Sequence, residues 1–385
     1  MRSLGLIVEY NPLHNGHLHH IKKSKKLTNP DVTVAVMSAH FMQRGEPACT
    51  NKWNRTKYAL QNGIDLVVEL PYAFSNQSAD FFATGAISLL RNLQVTHLVF
   101  GSELGDINVL TELASQMTSL DRQNVIKKNM ATGLSLPASY RKENPSLSGA
   151  NNTLGIQYIK AIEKLRANIK PLTIPRLASD YNEKEPTHNK ITSATAIRKM
   201  INEGAPFAAY TPVQIEDDYI KLQTWEHHYP FLRHRLLTSM PVELEKIHDM
   251  IEGIENRLIS AALVSSNFTD FLNAVSTKRY TRTRIGRICA NVLTGTTKKM
   301  ILEWDLPAGA SYIRLLGFNE KGQSYLKLMK KQLKIPLYSI FTKNSHPMMR
   351  HEQKVTAAYA SVYPAEWATY LIKKEFSFRP IMIRL

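Results

Sequence analysis

The chain has 385 residues, 43% hydrophobic and 21% charged, which describes an ordinary globular protein of two domains with room for a small third module. Lys and Arg number 49 against 32 Asp and Glu, a formal net charge of +17; such an excess favours a polyanionic partner, nucleic acid above all, because neutralising phosphates releases counterions. No apolar run approaches a membrane span, and the two cysteines, Cys49 and Cys289, form no C-x-x-C, which argues against disulfides and against a thiolate zinc site.

The N-terminus runs straight into a strand, Leu6–Val8, with no signal-peptide pattern, so the expected location is cytoplasmic. Runs rich in β-branched residues at Val32–Met37, Leu66–Leu70 and His97–Phe100 read as further strands. Helical-period segments His17–Leu27, Trp53–Asn62 and Ala79–Leu93 lie between them. This rhythm predicts an α/β fold with a Rossmann-like, doubly wound parallel sheet, whose ligands sit beyond the carboxyl ends of the strands. The segments at those ends are polar: Asn11–His17, Ser38–Glu46, Ser75–Asp80 and Gly101–Glu103. A helix over Asn152–Arg166, a strand over Ile169–Ile174 and a polar loop, Asp180–Lys190, follow. Residues 192–203 read as a helix that Gly204 and Pro206 end, which places the domain boundary between 205 and 206. From about 210 to 305 the pattern is mainly helical, for example over Val242–Leu263 and Phe268–Val275. The last part is small and mixed, with strands Tyr312–Leu316 and Leu337–Phe341 and helices Gln323–Leu333 and Glu352–Tyr363.

The chemistry begins at Glu9-Tyr-Asn-Pro-Leu-His-Asn-Gly-His17, directly behind the first strand. It places His14 and His17 around Gly16 at a helix N-terminus, where unpaired N–H groups and the dipole favour phosphate. The glycine admits phosphates close to the backbone, and the histidines can donate to charge on a triphosphate. The spelling H-x-G-H is similar to the signature of nucleotidyltransferases and class I tRNA synthetases. Ser193-Ala-Thr-Ala-Ile-Arg198 supplies a second element: Ser193 and Thr195 can bond phosphate oxygens, and Arg198 can grip leaving pyrophosphate. Gln43, Arg44 and Glu46 could hold a small anionic substrate or simply order their loop. Lys278, Arg279, Arg282, Arg284 and Arg287, with Tyr280 among them, form the densest basic cluster. They could track an RNA backbone and stack a base, or be a solvated face. No metal-ligating motif is present; Mg2+ would enter with the ATP phosphates.

Together these motifs resemble the bacterial tRNA(Met) cytidine acetate ligase family. The resemblance is carried by Gly5–His17, Met37–Pro47, Lys52-Trp53, Asp65–Pro71, Phe100–Glu103, Asn151-Asn152 and Ser193–Arg198, and runs over the full chain. It implies a ligase that uses ATP to convert acetate to acetyl-adenylate, releasing pyrophosphate. The acetyl group then passes to the exocyclic amine of the wobble cytidine of elongator tRNA(Met), giving N4-acetylcytidine and AMP. It also implies an ATP site lined by Ile7, Val8, Glu9, Tyr10, Asn11, Pro12, Leu13, His14, Asn15, Gly16, His17, Leu18, His19 and His20, with Gly101, Asn152, Arg176 and Leu177. Ser193 and Thr195 would join it, and His14, His17 and Arg198 would carry the catalysis. Ser179–Glu183 departs from the family pattern, so no role is transferred to Asn182 or Glu183. No residue stands out as a general base for acetyl transfer. Two alternatives share parts of this pattern: an adenylyltransferase acting on a small phosphorylated metabolite, which would not need the basic second half, and a non-catalytic RNA-binding protein.

Overall fold

The computed structural model describes residues 1–118, 120–132, 139, 142, 149–176, 191–213, 223–251, 253–342 and 345–384. Five parallel strands form the frame: β1 (Ser3–Val8), β2 (Val32–Ser38), β3 (Leu66–Leu70), β4 (His97–Ser102) and β5 (Lys170–Pro175), in the spatial order β5-β4-β1-β2-β3. The first-half helices that cross between them or cap the site are α1 (Asn15–Thr28), α2 (Lys52–Gln61), α3 (Ala79–Asn92), α4 (Ala150–Lys164) and α5 (Ala194–Asn202). Every residue of β2 and β3 is buried, as expected of central parallel strands covered on both faces. The strand order reverses between β1 and β4, which opens a crevice at their carboxyl ends. This is the doubly wound sheet expected from the alternation of apolar runs.

The second half packs as helices α6 (Trp225–Thr238), α7 (Ile254–Val264), α8 (Phe268–Val275) and α9 (Arg282–Thr294). Their shared core, with Tyr229, Leu232, Ile285 and Ile288, closes over Phe41, Met42 and Tyr72 from the first half. The continuous helix expected over Val242–Leu263 is broken. A turn of helix, Pro241–Leu244, stops well before α7, and Asp249 and Gly253 between them take left-handed backbone. That stretch instead bonds to the segment after α9: His248 N–H donates to Thr296 O at 2.9 Å and Lys298 N–H to Lys246 O at 2.9 Å.

The chain then returns to the sheet. Strand β6 (Ile313–Asn319) lies antiparallel to β3; helix α10 (Glu320–Met329), β7 (Leu337–Tyr338), α11 (Pro347–Ala360), α12 (Ala365–Ser377) and β8 (Ile381–Ile383) follow, with β7 and β8 both parallel to β6. At this seam lies a buried charge network. Lys52 Nζ sits 2.9 Å from Glu69 Oε1 and 2.8 Å from Glu375 Oε1. Arg314 pairs with Glu375 and lies 3.5 Å from Glu69, close in distance but out of line for hydrogen bonding. Glu352 accepts the N–H of Tyr72 at 2.6 Å. Its carboxyl is pushed well up, by burial first and by Glu69 next, whereas Arg314 and Lys52 hold Glu375 low against its own burial. Five elements, α2, β3, β6, α11 and α12, are thereby drawn to one point.

Candidate active site

His14 is the N-cap of α1, and the helix start fixes both histidine rings. His14 Nδ1 accepts the N–H of Gly16 at 3.1 Å, and His17 Nδ1 accepts the N–H of His14 at 3.3 Å. The rings stack with centroids 3.7 Å apart. An Nδ1 that accepts from the backbone leaves the ring proton on Nε2. Burial, then the charges of Arg176 and Arg198, push His14 down to about 3. Burial and the neighbouring histidines hold His17 well below its ordinary value. At neutral pH both rings are therefore uncharged Nε2–H donors.

The opposite wall starts at α5. Ser193 Oγ accepts the N–H of Ala196 at 3.1 Å and caps this helix. One turn on, Arg198 bridges three pieces. Nη1 donates to Asn11 O at 2.7 Å, and Nη2 donates to Glu46 Oε2 at 2.8 Å and to Thr195 Oγ1 at 3.3 Å. The loop after β2 is held as firmly: Gln43 N–H donates to Glu9 Oε1 at 2.7 Å, and Gln43 Nε2 donates to Gln77 O at 2.7 Å. Buried Arg55 donates from Nη1 to the carbonyls of Glu9 and Ser38, both at 2.8 Å. Burial raises the Glu9 carboxyl above its ordinary value against the lowering pull of the Gln43 N–H.

Between these walls lies a cavity of about 300 Å³. Of the residues singled out in sequence, Ile7–Asn11, His14, Gly16, His17, His19, His20, Gly101, Arg176, Ser193, Thr195 and Arg198 line it. Pro12, Leu13, Asn15 and Leu18 do not. Buried Asn152 stands behind the wall, where its Oδ1 accepts the N–H of Leu104 at 3.1 Å. Leu177, Asn182 and Glu183 lie outside the described residues. Two features of this region escaped the sequence reading. Glu103 accepts the N–H of Asn151 at 3.2 Å and of Asn152 at 2.7 Å, so a carboxylate sits at the N-terminus of α4. Phe82, Phe100 and Tyr158 supply an apolar floor; Gly101-Ser-Glu103 before an Asn-Asn helix start was the available signal for the first. Among the described residues no group of three or more His, Cys, Asp or Glu is placed to hold a metal ion.

The basic cluster lies at and before the start of α9. Lys278, Arg279 and Arg282 are exposed, Arg284 stacks over Tyr280 at 5.4 Å, and Arg287 pairs with Asp249 at 3.4 Å. Tyr280 is 9% exposed and packs into the helical core, so its ring is not presented for stacking a base. This helix touches the loop after β2 through two glycines, Gly45 and Gly286, whose backbones meet with no room for a side chain between them.

Known proteins match this arrangement over its whole length. The HIGH nucleotidyl transferase family matches residues 1–374. A tRNA(Met) cytidine acetate ligase of Geobacillus sp. (strain WCH70) is 40% identical over 403 aligned positions, covering 99% of this chain and 100% of the relative. The chain belongs to the tRNA(Met) cytidine acetate ligase family. Another member, from Halalkalibacterium halodurans, is 40% identical and covers 100% of this chain and 98% of its own. The crystal structure of apo Thermotoga maritima TmcAL superposes with a TM-score of 0.91 at 31% identity, with 100% of both chains covered. The same protein bound with alpha-thio ATP gives 0.90. The family's H-x-G-H is here His14, Gly16 and His17, set at the carboxyl end of β1 where a nucleotide fold receives its ligand.

Proposed function

We propose that this protein is an ATP-dependent ligase that acetylates the wobble cytidine of elongator tRNA(Met). The observation that carries the reading is the pair of neutral Nε2–H donors at the start of α1, facing Ser193, Thr195 and Arg198 across one cavity. Acetate is a poor acyl donor until one of its oxygens becomes a leaving group. Attack of its carboxylate on the α-phosphate forms acetyl-adenylate and expels pyrophosphate. Neutral donors suit this step, because they can stabilise growing negative charge without first losing or gaining a proton. The cavity contributes mainly by holding the two reactants in line. Arg198, drawn in by Asn11 and Glu46, would exchange one of these partners for the pyrophosphate. Mg2+ would ride on the triphosphate, and adenosine would lie toward Gly101 and Arg176.

In this reading residues 1–205 carry the ATP chemistry and the basic region of 206–385 holds the tRNA, with Lys278, Arg279, Arg282, Arg284 and Arg287 as contacts. No helix among the described residues is long and apolar enough to cross a membrane; a tRNA substrate would be met in the cytoplasm. Substitution of His17 by Ala tests the mechanism. It should abolish acetate-dependent AMP formation and leave tRNA affinity within about twofold. Unchanged AMP formation would sink this account of the site.

A further inference from the structure

The acetyl-transfer step must dispose of a proton. As the cytidine amine attacks the acetyl carbonyl, an N–C bond forms and the C–O bond to AMP breaks with its electron pair, while the amine nitrogen sheds one hydrogen as a proton. We propose that the Glu9 carboxylate is the general base that takes this proton, an inference that rests on the ligase reading above.

Glu9 directly follows β1, at the crevice where β1 and β4 diverge, and it lines the cavity. It is gripped from behind and open in front. Its carbonyl is held by Arg55 and its Oε1 by the Gln43 N–H, whereas Oε2 makes no hydrogen bond among the described residues. A carboxylate fixed through one oxygen can offer the other in a set direction, which is what proton abstraction requires.

The other titratable groups around the cavity are less suited. Among the described lining residues the other carboxylate is Glu46, which also keeps one oxygen open but is ion-paired through Oε2 to Arg198, with its side chain 44% exposed to solvent. His19 is partly exposed, and burial followed by Lys23 and Lys22 lowers its basicity. His14 and His17 use Nδ1 to accept from the backbone and carry their proton on Nε2, so they can donate but have no lone pair to offer. Burial raises the hydroxyls of Tyr10 and Tyr158 beyond reach, so both stay protonated. His20 is on the β4–β5 side, beside Gly101 and Arg176, and burial and that arginine depress its basicity to about 4. Glu9 is different. Burial and Glu46 raise its affinity for a proton, and the Gln43 N–H, Arg44 and Arg198 restrain that rise. Among the described residues Arg55 and Tyr158 also interact with its charge, and the uncharged rings of His14 and His17 line the same cavity. A carboxylate whose proton affinity is raised is a better base than one at its ordinary value.

Glu9→Gln keeps an acceptor for the Gln43 N–H but cannot take a proton. Two rates are measured in the full-length protein: acetate-dependent ATP–pyrophosphate exchange, and single-turnover acetyl transfer to tRNA across pH. Exchange should decline by no more than roughly tenfold, while transfer falls about 100-fold or more and loses the rising limb of its pH profile. Glu9→Asp, which retracts the carboxylate by one methylene, should slow transfer but keep that limb. Equal loss of exchange and transfer in both variants, or a pH limb that survives in Glu9→Gln, would overturn the assignment. So would transfer at the native rate in Glu9→Gln. Should Glu9→Gln fail to fold, equal loss of the two rates in Glu9→Asp alone would overturn it. Absence of acetate-dependent exchange in the native protein would instead remove the ligase reading, and the assignment with it.

Discussion

Replacing Gly45 by Ala should separate the loop after β2 from the basic helix and slow the chemistry without touching substrate. Gly45 has φ +81°, and a Cβ there would lie 2.2 Å from Gly286 C, 2.3 Å from Arg287 N and 2.4 Å from Gly286 O, against 3.4 Å for an ordinary contact. All three atoms are backbone, so nothing can swing aside and the loop must retreat by about 1 Å. The left-handed conformation adds roughly 1–2 kcal/mol for a residue with a side chain, and overpacking a further ~1–3 kcal/mol. The displaced loop carries Gln43, which holds Glu9, and Glu46, which holds Arg198. Misplacement on that scale lowers turnover by about 100-fold when it reaches reacting groups. The assay is single-turnover acetyl transfer beside thermal melting. Gly45→Ala is expected to lose about 100-fold in transfer and a few degrees in Tm, with tRNA binding far less affected. A variant that melts and transfers like the native protein would refute the claim that this contact sets the site.

Three further outcomes follow from other parts of the molecule. Neutralising Arg282, Arg284 and Arg287 to Gln together should weaken tRNA binding and flatten its dependence on salt by up to about three counterions; an unaltered slope in a salt titration would place the RNA path elsewhere. Lys52→Met removes one of the two cations that Glu69 and Glu375 share and leaves Arg314 alone between them. Breaking such a buried pair should cost about 3–5 kcal/mol by denaturant unfolding, and a loss under ~1 kcal/mol would show that the network is dispensable. His228 is buried with no hydrogen-bond partner for either ring nitrogen among the described residues, and burial depresses it to about 3 from an ordinary 6.5. Below pH 6.5 the unfolded chain gains a proton here that the folded chain refuses, so stability falls as pH drops, by up to about 1.4 kcal/mol per pH unit from this group. His228→Phe should therefore flatten the fall in Tm between about pH 6.5 and 4.5; an identical slope would contradict it.

The parallel frame was legible because each strand is an apolar run with a polar segment behind it, and the carboxyl ends of such strands converge by topology. His14, Gly16, His17 and Ser193–Arg198 were legible for the same reason, since spacing at a helix start dictates where the polar atoms point. What escaped reading depends on partners far apart in the chain. Lys52, Glu69, Arg314 and Glu375 look like ordinary surface charges until β6 and α12 dock beside β3. The run Val242–Leu263 has helical periodicity, but left-handed backbone at Asp249 and Gly253 and bonds to residues 296–298 interrupt it. Tyr280 sits among cations in sequence, yet its ring is claimed by the helical core. The partners of Arg198 were equally hidden: Glu46 and Asn11 meet it only because loops from β1 and β2 end beside α5.

The most direct test of the central claim mixes the protein with ATP, labelled acetate and bulk bacterial tRNA, and follows label into RNA alongside AMP release. Label on a cytidine of tRNA(Met), dependent on both ATP and acetate and matched by AMP, is the predicted result. AMP without label in RNA would point to another acceptor, and neither product from folded protein with competent tRNA would contradict the ligase assignment outright.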